Sequence, residues 1–300
     1  HLAFALWLTA LGMFSAIYHP VGAALLALHA RRLGHALGVN GVWGNFGAAF
    51  AAAVTAALAT HFGWRAAFFA PGLALAACGV AFVALTPKGG AGAAQAGAAR
   101  PVVTMARPGM LLGLFAVAIV AGGLTFNIVT IALPKVGEAR LGGGLSLDGI
   151  GAVATAVFLF GALTQVLVGR LIDRLPLPAI FVGLTVLQPL GLALAATTHG
   201  APMLAGVALA MAAIYGQVVL NDAMVARYVP LHARTRAYSV RYFLGFTTSG
   251  LAAPLIAGLS KASGFGLVLG VAAGFGAVIF VAALLFYLFA QPAAGAAPAE

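Results

Sequence analysis

Long apolar runs broken by short polar clusters divide the chain into nine segments, roughly 2–28, 36–60, 65–86, 109–133, 148–168, 178–197, 202–226, 238–260 and 265–290. A stretch of about 18 apolar residues or more, coiled as a helix, crosses the hydrocarbon core of a bilayer. Lipid offers no partner to a free backbone N–H or C=O, so each run is expected to be helical. The short alternating segments of a membrane β-barrel do not occur. The pattern predicts an all-α, polytopic membrane protein. Between the third and fourth runs, Pro/Gly/Ala-rich residues 87–108 show no periodicity and read as a linker. The expected organisation is three helices in 1–86, that linker, six helices in 109–290, and a flexible tail at 291–300.

Composition narrows the class. Of 300 residues, 63% are hydrophobic and only 7% charged, far below the roughly 25% of a soluble domain. So few charges cannot cover a water-facing surface. The net charge of +10 does not point to nucleic acid, because Lys and Arg fall in short connections between apolar runs, where they orient the helices. Counted over alternate connections, eleven lie on one side, including Arg31, Arg170, Arg174, Arg227 and Arg234, and four on the other: Arg65, Lys135, Arg140 and Lys261. The richer side is expected to be cytoplasmic. That places the carboxy terminus inside, in the plasma membrane of a bacterial cell. Cys78 stands alone in an apolar run and reads as a small hydrophobe.

The chain also repeats itself weakly. His29-Ala30-Arg31 returns as His232-Ala233-Arg234, 203 residues later, and Gly47 and Gly63 fall on Gly250 and Gly266. Both basic clusters leave one apolar run and enter the next. Repeated halves suggest a transporter, whose substrate site lies near the midplane between the repeats. Six runs follow the linker and three precede it, so the run after His1 is expected to be the fourth helix of twelve.

Gly169-Arg170-Leu171-Ile172-Asp173-Arg174 resembles the cytoplasmic loop motif of the major facilitator superfamily, in its second-half copy. The stretch from Arg31-Arg32 through Gly44-Asn45-Phe46-Gly47 to Gly63-Trp64-Arg65 and Phe68 resembles that family's fourth to sixth helices. Ile17-Tyr18-His19-Pro20 with Gly44–Gly47 is similar to its fosmidomycin-resistance-like efflux branch. The resemblance implies a two-bundle fold with nine of twelve transmembrane helices present, and a secondary transporter working by alternating access. The chain departs from the family in two places. Trp7-Leu8 stand where a fourth-helix arginine is usual, and Phe50-Ala51 replace the Gly-Pro of the antiporter signature.

Ionisable and amide groups inside an apolar helix are costly and mark candidate pathways. Asp222 is the carboxylate in the interior of an expected span, with Gln217 and Asn221 one turn apart beside it. It reads either as a proton or substrate group or as half of an ion pair with Arg227 or Arg241. The repeat register sets Asn221-Asp222 against Tyr18-His19. His19 can titrate near neutral pH; it can also simply satisfy a carbonyl freed by Pro20. Asn127, Gln165 and Asn45 complete the candidate substrate or proton pathway, with Asn40 a further polar position. Gly169, Asp173 and Arg174 form a candidate switch loop, in which Asp173 caps a neighbouring helix N-terminus and breaks away as the halves rock. Arg241 reads first as a cytoplasmic anchor.

No Gly-Lys-Ser/Thr phosphate loop, His-Glu-x-x-His or cysteine pair occurs, so no enzyme chemistry, cofactor or metal is expected. The expected partners are a small-molecule substrate, membrane lipid and protons, with no nucleic acid. The favoured activity is proton-coupled efflux of a small hydrophobic or amphiphilic solute. Solute uptake, or a transport-inactive scaffold or sensor, is the alternative.

Overall fold

The computed structural model describes residues 2–85, 105, 107–141 and 147–290. Among them are nine α-helices. In chain order they are α1 (Leu2–His29), α2 (Leu33–Phe62), α3 (Ala66–Leu85), α4 (Pro108–Arg140), α5 (Leu147–Ile172), α6 (Leu177–Thr197), α7 (Gly200–Tyr228), α8 (Arg234–Thr247) and α9 (Ser249–Phe289). The expected linker, apart from Met105 and Arg107–Pro108, and the tail 291–300 lie outside the described residues.

Seven stretches are long and apolar enough to cross a membrane by length and composition. The last of them, Leu231–Phe289, has 59 residues, against the roughly 20 that one crossing needs. It is broken at Ser263–Gly264, where Gly264 takes φ 70°, a left-handed conformation open to glycine. The chain turns there, as expected between 260 and 265. By contrast α8 runs into α9 through Thr248, whose own backbone is helical. Together α8 and the first part of α9 make one crossing, and the rest of α9 makes the next. α2, with 30 residues, is also long enough for a crossing.

Helix starts follow local chemistry. Pro108 and Pro178 stand in the first turns of α4 and α6, where a missing N–H costs nothing. The expected boundary near 133 is wrong: α4 continues through Pro134 to Arg140. Lys135 and Arg140 therefore sit on a helix end and not in a loop. The Arg140 guanidinium donates to the carbonyls of Ala195 (3.0 Å), Ala196 (2.8 Å) and Thr198 (3.3 Å) at the end of α6. Those carbonyls have no partner within their own helix, so Arg140 ties the far ends of α4 and α6 together.

The core lies among α4 to α9. Leu111, Ile128, Leu192, Met211, Leu220, Leu269 and Ile279 are all fully buried there. α1 buries only Pro20 and Ala23, and α3 buries nothing. The large apolar side chains on these helices, Trp7, Phe14, Phe69 and Leu85 among them, stand exposed, a surface that suits hydrocarbon and not water.

The repeat is visible in the order of the helices. His29-Ala30-Arg31 joins α1 to α2, and His232-Ala233-Arg234 joins α7 to α8. Shifted by 203 residues, α1, α2 and α3 fall on α7, on α8 with the first part of α9, and on the remainder of α9.

One seam joins the two parts at the basic end of the molecule. Gly34, Gly38 and Gly41 form a stripe on α2 that lies against α5. A Cβ on Gly34 would strike the Gly169 carbonyl oxygen, and one on Gly38 would stand 2.5 Å from that of Gln165. Small residues at this spacing let two helix backbones touch. Replacing Gly38 with Leu is expected to pry the seam apart, at a cost of about 1–3 kcal/mol for overpacking. Spin labels at Arg32 and Leu175, both exposed, in a Cys78→Ser background, should then report longer distances across the basic end. An unchanged distribution would show that the seam does not hold that end closed.

Candidate functional site: a polar cavity between the helices

Above the seam a cavity of about 500 Å³ opens between α1, α2, α4, α5, α6, α7 and α8. All eight residues expected along a pathway line it: Tyr18, His19, Asn45, Asn127, Gln165, Gln217, Asn221 and Asp222. The helices that carry them converge, which is why positions 18 and 222 become neighbours. Asn40, Gln188, Arg241 and Tyr242 line it too.

The wall formed by α7 and α8 holds the charges. On α7, Val218 and Asp222 are one turn apart; on α8, Tyr238, Arg241 and Tyr242 share a face by the same spacing. Where the faces meet, Arg241 Nη1 lies 2.7 Å from Asp222 Oδ1. Tyr242 donates its hydroxyl to the same carboxylate at 3.0 and 3.1 Å. Tyr238 donates to the Asp222 backbone carbonyl (2.8 Å), and Arg241 Nη2 to that of Val218 (3.0 Å). The Arg241 guanidinium also lies 4.5 Å from the Tyr242 ring centre, a cation–π contact. Asp222 and Arg241 are both buried. Arg241 is therefore not the cytoplasmic anchor expected of it. The helix starts seven residues earlier, at Arg234, so Arg241 lies two turns in, and the carboxylate opposite makes that depth tolerable.

The opposing wall comes from α1 and α2. The His19 ring lies 4.9 Å from that of Tyr242 and 5.4 Å from that of Phe246, both on α8. Tyr242 and Phe246 are themselves stacked at 5.8 Å. Thus a histidine of α1 packs on the tyrosine that holds Asp222. Tyr18 donates to Asn40 Oδ1 at 3.0 Å. Asn45 donates to Gln165 Oε1 at 2.9 Å, across the α2–α5 seam, and Gln165 donates in turn to the Tyr215 carbonyl at 3.2 Å. Asn127 donates to its own helix, at Gly123 (2.8 Å), and at 3.4 Å to Thr248.

Gln188 escaped the sequence reading. Gln217 donates to its Oε1 at 2.5 Å, and Gln188 Nε2 is buried without a partner, as are Asn221 Oδ1 and Arg241 Nε. A lone amide before Pro189 in an apolar run was the available signal. The aromatic residues Tyr215 and Phe246 also line the cavity. Trp43 is exposed, in a shallow apolar groove with Phe46 and Phe50.

The switch-loop residues lie below the cavity, at the basic end. Asp173 accepts the backbone N–H groups of Gly34 and His35, both at 2.9 Å. These open the first turn of α2, where N–H groups lack helix partners and the helix dipole favours an anion. Asp173 thus caps a helix 138 residues away in sequence, and Gly169, one turn earlier, admits the α2 backbone. No metal-ligating cluster of His, Cys, Asp or Glu occurs among the described residues.

Apolar crossing helices, a repeat related by 203 residues and a polar cavity between the repeated parts define a multi-pass membrane transporter. The family model described as Major Facilitator Superfamily matches residues 1–143 and 127–300. The chain belongs to that superfamily, and so is not an enzyme. Two solved structures share the fold. One is FucP, a transporter of this superfamily crystallised in the outward conformation, at 14% identity and TM-score 0.66, over 89% of this chain and 72% of that one. The other is a variant of the E. coli fucose:proton symporter FucP, at 14% identity and TM-score 0.69, over 90% and 73%. No curated protein matches the chain significantly.

Replacing Arg241 with Gln leaves the Asp222 carboxylate buried and unpaired, with an expected loss of about 3–5 kcal/mol. Adding Asp222→Asn should restore much of it. Unfolding in detergent of the two single variants and the double variant measures the coupling; strict additivity would contradict the ion pair.

Proposed function

We propose that the chain is a proton-coupled secondary transporter that exports a small, weakly charged organic solute by alternating access. The observation that carries this reading is the Asp222–Arg241–Tyr242 cluster on the cavity wall, the one place where a carboxylate lines the cavity. Protonating Asp222 removes its hold on Arg241 and changes what Tyr242 donates to. Tyr242 carries the His19 ring of α1, so the change is felt by the other wall. The eight pathway residues act as substrate and proton groups around this cluster.

The two moving bodies are residues 1–86, as the remainder of an amino-terminal bundle, and the six-helix bundle 109–290, joined through 87–108. The Asp173 cap and the glycine seam latch them at the basic end, which the Lys/Arg asymmetry makes cytoplasmic. Gly169, Asp173 and Arg174 are the switch. On this reading the protein lies in a bacterial inner membrane with its carboxy terminus in the cytoplasm.

Export is favoured because the solute-facing charges cancel one another and much of the cavity wall is apolar. Uptake is the second reading. What supports it is the fold shared with a fucose:proton symporter.

Asp222→Asn should abolish solute flux driven by a pH gradient in proteoliposomes while membrane insertion is unaffected. Flux that keeps its pH dependence would remove Asp222 from the coupling mechanism. Asp173→Ala removes a cap that is worth about 1 kcal/mol. It should shift the closed basic end toward opening about fivefold, read from the same spin-label pair; no shift would mean the cap is not a latch.

A further inference from the structure

The chain has four asparagines, and all four (Asn40, Asn45, Asn127 and Asn221) line the one cavity. Gln165, Gln188 and Gln217, all the glutamines among the described residues, line it as well. An apolar bundle has no general use for so many carboxamides, each of which must find partners away from water. Carboxamides that merely glue helices together satisfy one another. Some do so here: Asn45 donates to Gln165 and Gln217 to Gln188. The pairing stops short, however. Gln188 Nε2 and Arg241 Nε remain as donors and Asn221 Oδ1 as an acceptor, all buried and all on residues facing the cavity.

A hydroxyl group both donates and accepts, so it complements an amide N–H and an amide C=O at once. The Asp222 carboxylate and the Arg241 guanidinium neutralise each other at 2.7 Å, which leaves no net charge to attract an organic ion. The stacked Tyr242 and Phe246 rings, with His19 against them, give a flat apolar wall for the C–H face of such a solute. A volume of about 500 Å³ is within the usual range for small-ligand pockets, roughly 300–1,000 Å³. None of the three atoms has accessible surface of its own, so a hydroxylated occupant pairs with them by turning the Gln188 and Asn221 carboxamides toward it; a purely hydrophobic one leaves them unpaired, each on the order of tenfold in affinity.

We infer that the cavity recognises a neutral polyhydroxylated solute, held by Gln188 and Asn221 through its hydroxyls. The inference rests on the transport reading above and replaces the hydrophobic cargo expected from charge scarcity alone.

The test is calorimetric titration of the full chain in lipid nanodiscs with pentoses, hexoses and hexitols. Lactate and tetraphenylphosphonium serve as charged and hydrophobic comparators. At least one polyol should bind, and its monodeoxy analogues should include one that binds about tenfold more weakly. Gln188→Leu and Asn221→Leu should each weaken binding by a similar factor. The deoxy series on the unaltered protein stands if either variant fails to fold. Binding of lactate or tetraphenylphosphonium alone, no binding by any polyol, or polyol binding indifferent to hydroxyl removal would overturn the inference. Flux measurements separate it from the reading it rests on. A polyol that binds but is not moved in an Asp222-dependent way refutes proton-coupled transport and leaves the recognition intact. Asp222-dependent flux of tetraphenylphosphonium without polyol binding does the reverse.

Discussion

Asp222 can stand inside this apolar bundle only because Arg241 meets it from the next helix. A lone carboxylate at that depth would cost several kcal/mol, and so would a lone guanidinium. The pair fixes how α7 and α8 face each other, since Tyr238, Arg241 and Tyr242 all reach back to one turn of α7. That alignment sets Tyr242 on the cavity wall, and Tyr242 in turn sets where the His19 ring of α1 rests. One electrostatic constraint therefore determines the shape of the cavity on both sides.

The two ends of the molecule are held by contrasting devices. At the basic end the contact runs between α2 and the end of α5: glycine against backbone, and Asp173 on the first turn of α2. Beside them Leu33 and Leu37 of α2 pack on Val219, Ala223 and Ala226 of α7, an apolar patch far smaller than the core of α4 to α9, so this end can separate without exposing a large apolar surface. At the opposite end Arg140 binds three carbonyls of α6 from α4, within the six-helix part. It stiffens one body and does not join the two. Separable contacts between bodies and fixed contacts within one are what rocking about a central site requires.

Much of this was legible in the chain because lipid is an unforgiving solvent. Apolar runs had to be helices, and each polar residue within one had to have a reason, so Asp222, His19 and the amides stood out and proved to share a cavity. Arg241 stood out as a possible partner of Asp222, yet read first as an anchor, because positive residues near helix starts usually orient the protein. Only the position of the α8 start, together with the Asp222 partner 19 residues earlier, shows that it is buried. Gln188 was passed over as a single amide in an apolar run, its partner Gln217 lying on another helix. The Gly34–Gly38–Gly41 stripe was invisible for a different reason: glycine is common in membrane helices, and what distinguishes these three is the backbone of α5 against them.

The repeat makes one last point. Tyr18-His19 on α1 and Asn221-Asp222 on α7 occupy equivalent positions and face the same cavity, yet only the second pair carries a carboxylate, matched by an arginine. The equivalent of Arg241 in the first half is Gly38, which serves the seam with α5 instead of pairing with a side chain. A common backbone plan has thus been divided between two tasks. The later half keeps the charge pair at the cavity, and the earlier half uses the same helix position for close approach at the basic end. A device that couples a proton to a conformational change needs both, a titratable centre and a separable contact. On the proposed reading, Arg241 of α8, which completes the titratable pair, and Gly38 of α2, which makes the seam, are equivalent positions in the two halves, with His19 against Tyr242 between them.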